Sequence, residues 1–139
     1  MKFKFDARKY RWPIVFLILG IVFTLARFVV TANDPNSFKK ITAMEAQEIL
    51  DAHDDVIIFD MRPEQDYLIG HIPGATNIHP KTITYEYMED LTKGDQSYPI
   101  MVCGSSNSQS KKTARKISNS GFTNVYDLGE PSNWQELIP

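Results

Sequence analysis

The chain has one cysteine and three histidines among its 139 residues, and these small numbers exclude several kinds of site. A single cysteine cannot form an internal disulfide, so Cys103 is a free thiol in any compartment. His53, His71 and His79 do not stand at ligand-like spacing, so we expect no zinc or iron site. Repeats and low-complexity tracts are also missing, and the composition is that of a globular protein.

Positive charge is concentrated at the N-terminus, although the net charge of the whole chain is only -2. The first eleven residues contain Asp6 and the basic residues Lys2, Lys4, Arg8, Lys9 and Arg11. Beyond Asn36 the chain is acidic and offers no basic face. We therefore expect no nucleic-acid partner.

One long apolar run, "WPIVFLILGIVFTLARFVV", follows this basic segment, from Trp12 to Val30. A helix of this length covers the hydrocarbon core of a bilayer, which is about 30 Å thick. The pattern predicts a cytoplasmic segment at 1–11, a transmembrane helix at 12–31, a linker at 32–36 and a folded domain at 37–139. By the positive-inside rule the domain lies on the extracytoplasmic side. The alternative is a signal segment cleaved after Ala32, which would release a secreted or periplasmic protein.

Beyond the linker, short apolar runs alternate with helical patterns. Thr42 and Glu45 form a capping box ahead of Met44, Ala46, Ile49 and Leu50, which recur at helical spacing. The strand-like runs are "DDVIIFD", "YPIMVC" and "TNVYDL", and the helical segments between them are "TITYEYMEDL" and "SKKTARKISNSGF". The second of these helices is expected to face inward with Ala114 and Ile117 and to stop at Gly121. This order predicts an α/β domain with a central, mostly parallel sheet flanked by helices.

Cys103 ends the second apolar run and precedes a stretch of small polar residues, "GSSNSQS". Sites in parallel sheets lie beyond the carboxyl ends of the strands, and amides at a helix N-terminus favour a thiolate and can hold an anion. This placement is typical of a reactive cysteine. A buried, inert thiol at the end of a core strand is the alternative.

Several separated strings resemble the rhodanese-like sulfurtransferase family. "VIIFDMRPEQDYLIGHIPGATNI" is similar to the family's first signature, with Asp60 and Arg62 as its aspartate-x-arginine pair and "GHIPGA" as its most recognisable string. "YPIMVCGSSNS" resembles the strand and active-site loop, and "GFTNVYDL" with Trp134 resembles the closing strand and helix.

The resemblance implies sulfur transfer through a persulfide on Cys103. The donor would be thiosulfate or a similar compound, and the acceptor a thiol, cyanide or a protein. The resemblance makes Cys103 the catalytic residue, and its substrate-binding loop would be Gly104, Ser105, Ser106, Asn107, Ser108 and Gln109. It gives Asp60, Arg62 and His71 supporting roles, and it requires no metal or organic cofactor.

Three departures from the family pattern leave other functions open. The loop has no charged side chain, it holds one residue more than is usual, and "LGEPSNW" replaces a paired-glycine turn. A catalytically weak module that binds a partner or an oxyanion at the membrane is therefore the alternative function. A phosphatase or arsenate reductase is disfavoured, because such enzymes need an arginine in this loop.

Overall fold

The computed structural model describes residues 37–138, which form a parallel five-stranded sheet with helices on both faces. The strands are β1 (Lys39–Lys40), β2 (Ile57–Asp60), β3 (Thr76–Asn77), β4 (Ile100–Cys103) and β5 (Val125–Gly129). Their order across the sheet is β1-β5-β4-β2-β3, and every neighbouring pair is parallel. The predicted α/β class and parallel sheet are confirmed.

The helices are α1 (Ala43–Ala52), α2 (Glu64–Ile69), α3 (Tyr85–Thr92) and α4 (Asn107–Asn119), and two short 3-10 turns at Pro131–Asn133 and Gln135–Leu137 end the described chain. None of the helices between residues 37 and 138 is long and apolar enough to cross a membrane. The predicted transmembrane or signal segment at 12–31 lies outside the described residues.

The local signals for α1 and α4 act as expected at their ends. Thr42 and Glu45 form the predicted capping box, with the Thr42 amide donating to the Glu45 carboxylate at 2.9 Å. At the end of α4, Gly121 has φ of 103°, a left-handed conformation that favours glycine. Not every apolar residue at helical spacing in α1 faces inward: Met44 is 74% exposed, whereas Ala43 and Ala46 are buried.

Two apolar clusters lie on opposite faces of the sheet. The first includes Ala46 of α1, Met101 of β4 and Trp134. The second includes Val102 of β4 with Ala114 and Ile117 of α4, the two residues that the sequence predicts to face inward. Each residue of β4 is buried, and consecutive residues of this strand contribute to different clusters.

Candidate functional site

Cys103 is the last residue of β4, and none of its side chain is exposed to solvent. Its thiol packs in the same cluster as Ala46, Ile72 and Trp134, and Sγ donates to the Phe59 carbonyl at 3.5 Å. The cysteine that the sequence predicts as a loop nucleophile therefore lies in the core, on the face covered by α1. This position matches the alternative of a buried thiol.

The alternation of side chains along β4 explains this placement. Successive residues of a strand point to opposite faces of a sheet. Met101 and Cys103 pack in the cluster on the α1 side, whereas Val102 packs with Ala114 on the α4 side. The next residue on the α4 side is Gly104, which has no side chain.

The surroundings of Cys103 favour its neutral form. Burial raises the pKa of the Cys103 thiol well above its ordinary value, and the nearby carboxylates of Asp60 and Asp127 raise it further. The charge of Arg62 acts in the opposite direction but does not reverse the shift. This direction is opposite to the expectation that amides at the helix N-terminus favour the thiolate.

This raised pKa predicts that Cys103 makes the fold less stable in alkaline solution. In the unfolded chain the thiol loses its proton near pH 8.5, whereas the folded chain holds it to higher pH. Above that pH the unfolded state binds fewer protons than the folded state. The thiol's contribution to the free energy of unfolding is therefore complete below pH 8.5, and it falls by at most about 1.4 kcal/mol for each further pH unit. Urea titrations of the wild type and Cys103→Ala at pH 8 and pH 10 should show a larger alkaline loss for the wild type. Equal losses would contradict the shift.

The small-residue segment after β4 forms a short loop whose first amides are already bonded. The Gly104 amide donates to the Gly129 carbonyl at 3.0 Å, and the Ser105 amide donates to Oε1 of Gln109 at 2.8 Å. Ser106 is the N-cap of α4, and its hydroxyl accepts from the Gln109 amide at 3.3 Å. The amides of Gly104 and Ser105, which the resemblance assigns to the persulfide, therefore already have acceptors in this structure.

The predicted loop is also shorter than the sequence suggests. α4 begins at Asn107, so Asn107, Ser108 and Gln109 belong to its first turn. Asn107 accepts a hydrogen bond from the side-chain amide of Asn133 at 2.8 Å, which links the start of α4 to the turn after β5.

Asp60 and Arg62 form a buried ion pair beside this loop, with Nη2 of Arg62 2.7 Å from Oδ2 of Asp60. Nε of Arg62 donates to both carboxylate oxygens at 3.0 Å. The same Nη2 donates to the Gly70 carbonyl at 2.6 Å, and the guanidinium lies 4.8 Å from the centre of the Trp134 ring. Hydrogen bonding to Asp60 raises the pKa of Arg62. The pair thus connects β2, the segment after α2 and the Trp134 region.

His71 supports the turn after α2. Its ring stacks on Tyr67 at a centroid distance of 3.9 Å, and Nδ1 donates to the Tyr67 carbonyl at 3.0 Å. The Tyr67 hydroxyl donates to the Ala75 carbonyl at 2.6 Å. These contacts hold the ends of the "GHIPGA" string together, and His71 does not line the cleft beside the loop.

A cleft of about 390 Å³ opens at the carboxyl ends of β2 and β3, next to the loop. Its walls include Arg62, Asn77, His79, Ser105 and Gln109, and Cys103 is not among them. The remaining lining residues are Met61, Pro63, Glu64, Ile78 and Pro80. The structure therefore brings Arg62 and the loop residues Ser105 and Gln109 to one site, and it places Cys103 elsewhere.

Of the polar residues in the cleft, sequence reasoning missed Glu64, Asn77 and His79. The side-chain amide of Asn77 donates to the Asp60 carbonyl at 3.0 Å and to the Arg62 carbonyl at 2.8 Å, which fixes the segment after β2. β3 has only two residues, too few for a periodic pattern. The position of "TNIH" just after "GHIPGA" was the available signal. Within residues 37–138, no group of three or more acidic, histidine or cysteine side chains is placed to hold a metal ion.

The family model of the rhodanese-like domain matches residues 42–136. The uncharacterized protein YibN of Escherichia coli K12 is 31% identical over 121 residues, 86% of this chain and 82% of that protein. Thiosulfate sulfurtransferase GlpE of Pseudoalteromonas translucida is 33% identical over 92 residues, 66% of this chain and 83% of that protein.

Solved structures share the fold. SSP1007 of Staphylococcus saprophyticus has a TM-score of 0.56 at 21% identity, over 73% of this chain and 99% of that one. A rhodanese-like domain protein of Staphylococcus aureus has a TM-score of 0.55 at 22% identity, over 70% of this chain and 91% of that one. At these identities the likeness concerns the fold alone.

Proposed function

Because the chain belongs to the rhodanese-like domain family, we propose that it is a ligand-binding module of that family that does not carry sulfur on Cys103. The observation that supports this proposal most strongly is the position of the Cys103 side chain, which is fully buried on the face of the sheet opposite to α4. A sulfur carrier has to meet a donor and then an acceptor. A thiol without exposed surface meets neither.

The protonation state of the thiol supports the same proposal. The thiolate is the nucleophile in sulfur transfer, and reactive cysteines have lowered pKa values in electropositive, partly exposed surroundings. Cys103 is buried and its pKa is raised, so its thiolate is scarce at neutral pH.

The cleft supplies the binding site in this proposal. Its volume is within the usual range for small ligands, about 300–1,000 Å³. Ser105, Asn77 and His79 offer hydrogen-bonding groups along its walls, and the Arg62–Asp60 pair gives it a rigid base. These features fit a small polar ligand, or a polar side chain of a partner, held without a covalent bond.

Thiocyanate formation from thiosulfate and cyanide tests the absence of sulfur transfer. We expect the full chain and Cys103→Ser to give the same rate, close to that of the reagents alone. A measurable wild-type rate that disappears in Cys103→Ser would contradict the proposal.

The binding part of the proposal is tested by nuclear magnetic resonance with a library of small polar fragments. The amide signals of Asn77, His79 and Ser105 should shift on addition of the fragments that bind, and His79→Ala should weaken these shifts. Fragment binding confined to other parts of the domain would argue against a ligand site in the cleft.

A second candidate function is sulfur transfer itself, with Cys103 as persulfide carrier between thiosulfate or a similar donor and a thiol, cyanide or protein acceptor. The 33% identity with a thiosulfate sulfurtransferase favours it. In this case the Cys103 thiol would have to leave its packing against Trp134 and Ile72 in each reaction cycle. The thiocyanate assay separates the two functions.

We also propose that residues 12–31 anchor the protein in a membrane, with residues 1–11 in the cytoplasm and the domain outside. The apolar run and the basic residues before it support this topology. An added C-terminal epitope should be digested by protease applied to the outer face of the membrane, and the mature protein should retain Met1 or residue 2 as its N-terminus. An N-terminus at Asn33 would show cleavage instead and make the protein secreted or periplasmic.

A further inference from the structure

The side chain of Gln109 folds back from the first turn of α4 over the loop. Its Oε1 accepts the hydrogen bond of the Ser105 amide at 2.8 Å, and its Nε2 donates to the Met61 carbonyl at 3.4 Å. One carboxamide thereby connects the loop after β4 to the segment after β2. It also lines the cleft.

The space that Gln109 occupies is the space that a side chain at position 104 would need. A Cβ on Gly104 would lie 2.6 Å from Oε1 of Gln109 and 3.2 Å from its Cδ, and the third-nearest atom, at 3.5 Å, belongs to Gln109 as well. Contacts below 3.0 Å essentially never occur for real Cβ atoms. Any side chain at position 104 therefore requires Gln109 to move.

The backbone itself does not require glycine at this position. The glycines with positive φ include Gly129, at 78°, but not Gly104. An L-residue could therefore adopt the backbone conformation of Gly104 without strain, and the three atoms nearest to its Cβ all belong to the Gln109 side chain.

We infer that the Gln109 side chain fills the loop and thereby determines which groups can bind there. Its carboxamide oxygen accepts the hydrogen bond of the Ser105 amide, which would otherwise be available to an oxygen atom of a ligand. Its bulk excludes a side chain from position 104. This inference rests on the proposed ligand site and deepens it. In the wild-type protein the Ser105 amide is therefore closed to a small oxyanion, and a ligand binds in the outer cleft beside Asn77 and His79.

A double-mutant cycle of Gly104→Ala and Gln109→Ala in the full chain tests the steric part of the inference. Gly104→Ala alone should lower the folding equilibrium constant by about threefold or more, because the new methyl group displaces the Gln109 carboxamide from the Ser105 amide and the Met61 carbonyl. In the Gln109→Ala background the same substitution should leave the folding equilibrium constant unchanged or raise it. Gln47→Ala, which removes an exposed glutamine that bonds Asp51, is the control background and should leave the full cost. An equal cost in all backgrounds would overturn the inference.

Hydrogen exchange of the Ser105 amide gives a readout that does not depend on substituting Gly104. Gln109→Ala should accelerate this exchange at least about tenfold, because the amide loses its acceptor, while Gln47→Ala should leave it unchanged. Unchanged exchange in Gln109→Ala would also overturn the inference.

A thiol at position 104 provides a chemical test. In the Cys103→Ser background, Gly104→Cys with Gln109→Ala should place a thiol on the α4 side of β4, near the start of that helix. With thiosulfate, its thiolate would attack the outer sulfur, the S–S bond of thiosulfate would break, and sulfite would leave with the electron pair. The thiol proton would go to solvent. We expect alkylation by iodoacetamide at least about tenfold faster than with Gln109 retained, and a gain of one sulfur atom.

These outcomes separate the inference from the proposed function. Equal alkylation rates with and without Gln109 would overturn the role of Gln109, whatever Cys103 does. Sulfur loading of Cys103 in the wild type would overturn the proposed function and would leave the double-mutant cycle unaffected.

Discussion

Asp60→Asn is expected to lower the free energy of unfolding by about 3 kcal/mol, because it leaves the buried guanidinium of Arg62 without its counter-charge. The Asp60 side chain is fully buried, and its two oxygens accept hydrogen bonds from the Arg62 backbone amide, Nε and Nη2. Asparagine keeps one acceptor oxygen but has no charge, and its NH₂ group would point a donor at another donor.

The surface pair Lys39–Glu45 provides a matched comparison. Its nitrogen and oxygen lie 3.0 Å apart, but both side chains are well exposed. Lys39→Gln should therefore cost less than about 1 kcal/mol and leaves the Thr42 capping box intact. Urea unfolding followed by circular dichroism measures both changes. Equal shifts of the two midpoints would contradict the assigned role of the Asp60–Arg62 pair.

Cys103 in the folded chain should react with iodoacetamide at least about 100-fold more slowly at neutral pH than the same cysteine in 8 M urea. Two properties cause the protection: Sγ has no exposed surface, and the pKa of the thiol is raised. Unfolding removes both. The rate is measured by the mass of the alkylated chain as a function of time.

An accessible thiol on the same domain is the control for this measurement. Ser132 is exposed in the turn after β5, so Ser132→Cys in the Cys103→Ser background should react at nearly the same rate with and without urea. If native Cys103 reacts as fast as this control, the thiol reaches solvent readily and the buried position does not describe its behaviour in solution.

The sequence predicts the fold well because its signals are local and strong. The runs at β2, β4 and β5 and the helical patterns of α1, α3 and α4 appear where the periodicity places them. The elements that it missed are short: β1 and β3 have two residues each and α2 has six, and such lengths carry too few side chains for a period to show. Their formation depends on pairing and packing with neighbours that are distant in the chain.

The direction of Cys103 is the part of the site that the sequence could not supply. A strand buried on both faces is apolar at every position, so "IMVC" lacks the alternation that distinguishes one face from the other. Whether residue 103 or residue 104 faces the loop follows from the packing of Val102 on α4 and of Met101 on the α1 side. One sequence signal does concern the loop. Ser106 is a favourable N-cap residue three positions before Gln109, which indicates that the helix begins directly after it and that the loop is short.

The charge of the loop, in contrast, was informative at the sequence level. The missing basic residues indicated a site unlike that of a typical sulfurtransferase, and the structure shows an uncharged glutamine bonded to the Ser105 amide. The effect of this missing charge on function depends on geometry that the sequence does not show. That geometry is the bonding of the loop amides and the direction of the Cys103 thiol.

The mass of the full chain after incubation with thiosulfate tests the central claim most directly. The protein is treated without reductant and examined intact by mass spectrometry, with Cys103→Ser as the control and released sulfite measured in parallel. We expect no change in mass and no sulfite above the control, because the Cys103 thiol is buried on the face of the sheet away from the loop. A gain of one sulfur atom on Cys103, with an equal amount of sulfite, would contradict the account.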